Sequence, residues 1–156
     1  MVSLYDCMMH EKLLHKEYIK GPILDLKLKV FCVRDAIDSL PSYHFDILLA
    51  GIPIGMIALR LGYDDMTMIH GHIGYSIKKE YQGHGYSYYA LDMIKNLAKE
   101  HGYSRLIVTA EPTNLRSIKV VLKSGGRLLF EQHDVPQSHT YYVLGIKVLN
   151  VYEILL

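Results

Sequence analysis

Between Leu24 and Val33 apolar and charged residues alternate: Leu24, Leu26, Leu28, Val30 and Cys32 on one parity, Asp25, Lys27 and Lys29 on the other. A period of two places the sets on opposite faces of a half-buried strand. Upstream, Leu4, Met8, Leu13 and Leu14 fit a helix only roughly. The first twenty residues therefore stay open between helix and strand until Lys20-Gly21-Pro22 stops them. Downstream, a polar stretch to Leu40-Pro41 allows one short helical turn. Tyr43 to Ala50 and Ile54 to Leu61 are apolar runs joined by Gly51-Ile52-Pro53, which predicts a hairpin. His70 to Ile77 is the next strand.

The period then changes. After a glycine-containing loop, Tyr81 to Gly85, the residues Tyr88, Leu91, Ile94, Leu97, Ala98 and His101 recur at steps of three and four. That spacing predicts an amphipathic helix, closed at His101-Gly102. Leu106 to Ala110 reads as a buried strand. Asn114 then offers an N-cap for a second helix, whose expected buried face is Leu115, Ile118, Val121 and Leu122. Gly125-Gly126 ends it, and Leu128 to Glu131 and Ile146 to Ile154 are the last strands. Antiparallel strands followed by strand, loop, helix, strand, helix, strand, strand predict one α+β domain over residues 1–156, with a parallel crossover at its centre.

Composition narrows the function classes. A chain of 156 residues can bury roughly 70% of its unfolded surface, and half of these are hydrophobic. A formal net charge of +1 gives no electrostatic footprint for nucleic acid and no basic patch for a membrane. The start, MVSLYDCMMHEK, lacks the apolar run of a signal peptide, and nowhere do about 18 apolar residues follow one another. The two cysteines, Cys7 and Cys32, are far apart, as expected of a chain kept reduced. These features predict a soluble, cytoplasmic protein.

The candidate chemistry lies in the loop before the first long helix. Glycines between a strand and a helix let backbone N–H groups face an anion, and the helix start adds unpaired donors and a positive dipole end. The implied ligand is a phosphate or a diphosphate; a bare turn also needs glycine there. A dinucleotide fingerprint finds Gly83, Gly85 and an acid, Glu111, but Tyr88 takes its third glycine position. No Gly-Lys-Ser/Thr follows for a Walker loop. His70-x-His72 would share a strand face and begin a two-ligand metal site, but no third ligand follows at a convincing spacing. His84 and the tyrosines 81, 86, 88 and 89 cluster around the loop, with solvent exposure and packing as their default roles.

One further reading carries more of the chain. The motif Gln82-x-x-Gly85-x-Ser87 sits in Tyr81-Gln-Gly-His-Gly-Tyr86, after Ile73-Gly-Tyr-Ser-Ile77 and before Arg105-Leu-Ile-Val-Thr-Ala110 and Pro112-Thr-Asn114-Leu-Arg-Ser117. In this order the segments resemble the GNAT superfamily of N-acetyltransferases, whose Gln/Arg-x-x-Gly-x-Gly/Ala loop binds the coenzyme A pyrophosphate. The resemblance covers residues 43–131, and the ends follow by order of elements. Ser87 replaces the small third position, Gly126 an aromatic, and Val121 a tyrosine that in many members protonates the leaving thiolate. The pair Asn114-x-x-Ser117 is similar to the branch that acetylates ribosomal-protein N-termini, where the serine sits near the sulfur.

The resemblance implies a three-layer α+β fold, a mixed, mostly antiparallel sheet with helices on both faces. It implies acetyl-CoA as cofactor and direct transfer to a primary amine, either a small molecule or a peptide N-terminus. Cofactor contacts would come from Ile77, Gln82, Gly83, His84, Gly85, Tyr86, Ser87, Asn114 and Ser117. In this picture Ile77 N–H polarises the acetyl carbonyl, Ser117 donates to the sulfur, and Glu111 accepts the ammonium proton directly or through water. The acceptor cleft would draw on the N-terminal third and on His133 to Tyr142. Homodimers are common for this fold. Two rivals stand beside it. One is a non-catalytic acyl-CoA-binding or regulatory module, kept open by Val121; the other is a nicotinamide-dependent oxidoreductase.

Overall fold

Alternation along the chain builds the first sheet of this computed structural model, which describes residues 17–31 and 40–156. Leu26 is buried in β2 (Asp25–Phe31) while Lys27 and Lys29 are exposed. A short β1 (Tyr18–Lys20), within the stretch open between helix and strand, pairs with it. The earlier apolar residues Leu4 to Leu14, both cysteines and the turn expected before Leu40 lie outside the described residues.

Next come β3 (Ser42–Leu49) and β4 (Ile52–Arg60), the expected hairpin. Its turn is tighter than Gly51-Ile52-Pro53. Ala50 and Gly51 both take positive φ, 49° and 80°, and Ile52 and Pro53 already belong to β4. Along β4 the partners of Ile47 and Leu48 are Gly55 and Pro53, so Ile54 is the extra residue of a bulge.

The strand predicted from His70 begins three residues later. Thr67–His70 forms one helical turn, α1, and β5 runs Ile73–Ile77. Helix α2 (Tyr86–Glu100) buries Ala90, Leu91, Met93, Ile94, Leu97 and Ala98, and Gly102 follows its end with φ +84°. Strand β6 (Arg105–Ala110) and helix α3 (Leu115–Lys123) follow. The remaining elements are β7 (Gly126–Asp134), a further single turn α4 (Thr140–Val143) and β8 (Val148–Leu155).

The strands form two antiparallel sheets, ordered β1-β2-β3-β4-β5 and β6-β8-β7. At β6 both faces are covered. Leu106 and Val108 of β6 pack with Leu91, Ile94 and Leu97 of α2, while Thr109, on the opposite face, donates from Oγ1 to Ile69 O of α1 at 2.9 Å. Buried Glu153 on the middle strand β8 binds Arg105 of β6 at 2.8 Å and Arg127 of β7. Those two guanidinium groups, Arg127 foremost, hold its carboxyl below the ordinary carboxylate range.

The expected face of α3 is half wrong. Val121 is buried and Ile118 partly so, but Leu115 and Leu122 are exposed. The helix is short, and it packs mainly against β6, β7 and α2, which its buried stripe follows. At its end, the aromatic that the resemblance led one to expect at Gly126 has no room. A Cβ there would lie 2.5 Å from Val121 Cγ1 and 2.7 Å from Val121 O. Gly126→Ala should therefore destabilise the fold by about 1–3 kcal/mol, the usual cost of overpacking, seen as a lower urea midpoint. An unchanged midpoint would contradict this packing.

Candidate active site

The two sheets meet at His72. Its backbone N–H donates to Ile107 O at 2.7 Å, and Ile107 N–H donates not to a carbonyl but to His72 Nδ1, at 2.9 Å. Nε2–H donates to Gly62 O at 3.0 Å, so both ring nitrogens are engaged and the tautomer is set. Burial pushes the imidazole down to about 4. Because a side chain stands where a ladder carbonyl would, β6 is offset from β5. The helix α2 returns the chain so that both strands run toward the same opening, yet no ladder joins them among the described residues. The parallel pair expected at the centre is thus a splayed seam.

A cleft of about 760 Å³ opens at this seam. One wall is Tyr75, Ser76 and Ile77 of β5 with the loop from Tyr81; the other is Asn114 to Lys123 on α3. Lys78 N–H donates to Ile54 O at the β4 bulge, at 2.8 Å. Successive amides of a strand point to opposite edges, so Ile77 N–H points away from β4.

The loop between β5 and α2 opens with a 3₁₀ turn, Lys79–Tyr81. Gly83 and Gly85 then take φ +87° and +76°, a left-handed conformation that disfavours other residues. The first loop-to-helix bonds run from Tyr88 and Tyr89 N–H to Gly85 O. The amides of residues 83 to 87 therefore have no acceptor among the described residues. Burial of Leu91, Ile94 and Leu97, each contributing roughly 1.5–3 kcal/mol, anchors α2 and so imposes this loop geometry.

Side chains complete the walls. Gln82 donates from Nε2 to Ile77 O at 2.9 Å, and its Oε1 accepts from Arg116 on the facing helix. Lys119 and Lys123 lie on the same helix stripe as Arg116, with Lys123 Nζ 4.3 Å from the centre of the Tyr88 ring. Asn114 caps α3, its Oδ1 accepting from Ser117 N–H at 3.2 Å. Ser117 Oγ lies 2.8 Å from the Tyr75 hydroxyl. Burial pushes the Tyr75 phenol above its ordinary value.

Of the residues expected to meet the cofactor, Ile77, Gln82, Gly83, Gly85, Tyr86, Ser87, Asn114 and Ser117 all line the cleft. His84 does not; its ring lies 5.5 Å from that of Tyr86, outside the lining. Glu111 is exposed and also outside the lining, and its carbonyl accepts from Asn114 N–H. His70 and His72 do not share a strand face: His70 ends α1, with Nε2 2.8 Å from His139 Nε2. Sequence reasoning missed Tyr75, Arg116, Lys119 and Lys123. The three cations at i, i+3 and i+7 were a legible helical stripe. Tyr75 shares a strand face with Ile73 and Ile77, which reads as packing.

This geometry suits a diphosphate ligand: unpaired amides at a helix start, open space beside both left-handed glycines, and cations on the opposite wall. A family model, the acetyltransferase (GNAT) domain, matches residues 26–127. No curated protein sequence matches significantly. Among solved structures, the chain is similar to a provisionally assigned ribosomal-protein-serine acetyltransferase from Vibrio cholerae. Identity is 20% over 89% of this chain and 97% of that one, with a TM-score of 0.64. It is also similar to RimL, a ribosomal L7/L12 α-N-protein acetyltransferase, at 12% identity, 90% and 94% coverage, and a TM-score of 0.64. A third is the microcin C7 self-immunity acetyltransferase MccE, solved with acetyl-CoA and AMP. There identity is 17%, coverage 74% of this chain and 61% of that one, and the TM-score 0.57. At such identities the structures speak for the fold, while the family match speaks for acetyl-CoA-dependent acetyl transfer. The chain belongs to the GNAT family of acetyltransferases.

Proposed function

We propose that the chain transfers the acetyl group of acetyl-CoA directly to the N-terminal amine of a peptide or protein, and that it does so in the cytoplasm. The observation that carries the cofactor part is the run of amides from residue 83 to 87, without an acceptor among the described residues, across the cleft from Arg116, Lys119 and Lys123. Bound acetyl-CoA supplies a thioester carbonyl and a thiolate leaving group. The amides of Gly83 to Ser87 hold its diphosphate, and Asn114, through the Nδ2 left over from capping, holds its pantetheine arm. Ile77 N–H, turned away from β4, meets the acetyl oxygen and stabilises the charge that develops there. Ser117 donates to the sulfur. Glu111, exposed one residue beyond β6 and outside the cleft lining, takes the ammonium proton through intervening water.

The acceptor class rests on the similarity to the Vibrio cholerae protein and RimL. The two narrow candidate classes separate in one assay. Thiol release from acetyl-CoA is followed with a panel of short peptides bearing free α-amines, the same peptides N-terminally blocked, and small primary amines. Turnover on free peptides alone is expected. Turnover on small amines with none on peptides would overturn the acceptor assignment, and a chain that binds coenzyme A but acetylates nothing would favour a regulatory module.

A further inference from the structure

Val121, buried in the core, places no hydroxyl in the cleft, so the hydroxyl that α3 offers the sulfur is that of Ser117. The facing strand offers a phenol. Tyr75 crosses from β5 to α3 and brings its hydroxyl to 2.8 Å from Ser117 Oγ and 3.4 Å from Ser117 O. We propose that Tyr75 is a positioning residue that aims the Ser117 hydroxyl at the sulfur of the acyl donor as charge builds there. This inference rests on the acetyl-transfer reading above.

Two proton arrangements satisfy the pair. In one, Ser117 donates to Tyr75, and Tyr75 donates to Ser117 O. In the other, Tyr75 donates to Ser117 Oγ, and the serine proton is released toward the cleft that Ser117 lines. A helical serine usually returns its proton to a carbonyl of the preceding turn. Here Thr113 O accepts from Leu115 N–H and Asn114 O from Ile118 N–H, while among the described residues the Ser117 hydroxyl is bonded to Tyr75. The first arrangement suits an uncharged cleft; the second suits a negative sulfur. Rotation of two O–H bonds converts one into the other.

The pair therefore donates most strongly when the carbon–sulfur bond breaks, which is the kind of interaction that raises kcat rather than lowers KM. Atoms balance without proton loss from either residue. The amine–carbon bond forms, the nitrogen gives up a proton to water, the carbon–sulfur bond breaks, the sulfur leaves with its electron pair against Ser117 O–H, and water later supplies its proton. Burial keeps the Tyr75 phenol neutral, so it stays a donor across the working range.

Coenzyme A itself is the probe. Its bound thiol is titrated by ultraviolet thiolate absorbance in the parent, Tyr75→Phe, Ser117→Ala and the double variant, alongside kcat and coenzyme A affinity at a pH where the thiol is protonated. Tyr75→Phe keeps the ring and should leave that affinity within about twofold. It should raise the bound thiol by about one pKa unit and lower kcat by roughly ten- to a hundredfold, as for a hydrogen bond to a charged group. Ser117→Ala should do the same, and the double variant no more than either. A thiol titration unmoved by Tyr75→Phe, or shifts that add in the double variant, would overturn the proposal. A parent chain that fails to bind coenzyme A would instead bring down the acetyl-transfer reading itself.

Discussion

A Gly85→Glu variant is expected to lose coenzyme A binding by about ten-thousandfold while keeping its fold. Gly85 sits at φ +76° and ψ 14° at the start of α2, among amides that no group of the described residues engages. A Cβ at this position would meet none of the described residues within 4 Å, so the lesion is not a clash with them. Backbone strain and charge repulsion act together instead. The left-handed conformation costs a non-glycine residue roughly 1–2 kcal/mol. A carboxylate beside the diphosphate adds repulsion of about 4 kcal/mol for unit charges about 4 Å apart at an effective dielectric near 20. Repulsion thus outweighs strain, and Gly85→Ala, which carries only the strain, should lose about tenfold. Calorimetry with coenzyme A on both variants, with circular dichroism as the control for folding, checks the ratio. Equal losses in the two would mean that the loop matters only for its shape.

The second large effect is acid lability centred on His72. The ring is wholly buried, donates to Gly62 O and accepts from Ile107 N–H, so a second proton would turn Nδ1 from acceptor into donor against that amide. Burial lowers the folded-state value to about 4, from an ordinary 6.5. Above pH 6.5 the ring is neutral folded or unfolded, and it contributes no pH dependence. Between 6.5 and 4 the unfolded chain binds a proton that the folded chain refuses. Stability therefore falls through that window by up to about 3 kcal/mol, and this group adds no further loss below it. Urea unfolding at a series of pH values should show the decline, and a His72→Gln variant should flatten it. An equal slope in parent and variant would place the acid sensitivity elsewhere.

The seam at His72 also shows where sequence patterns stop being informative. Period two in β2, the apolar runs of β3 and β4, and the three-to-four spacing of Leu91, Ile94 and Leu97 each report a face that packs, and those elements stand where the pattern put them. Thr67–His70 and Thr140–Val143 are single turns, too short to show a period, so α1 and α4 left no trace. Leu115 and Leu122 looked like core because apolar type was read as burial. On a nine-residue helix held at one edge, only Val121 reaches zero exposure.

The loop was legible for a different reason: Gly83 and Gly85 hold a conformation that few other residues adopt, so glycine there carries information about the backbone. Glu111 was chosen for its chemistry and its place at a strand end, and the short turn to Asn114 leaves it facing water outside the cleft. Tyr75 escaped because its hydroxyl finds Ser117 across 42 residues of chain. No local pattern encodes a contact made between a strand and a helix that meet across the cleft.

A crystal structure of the chain with coenzyme A tests the central assignment most directly. Diphosphate oxygens are expected within hydrogen-bonding distance of amides in the stretch from Gly83 to Ser87, with the thiol end in the seam between β5 and β6. A diphosphate bound away from that turn, with those amides still facing solvent, would contradict the assignment.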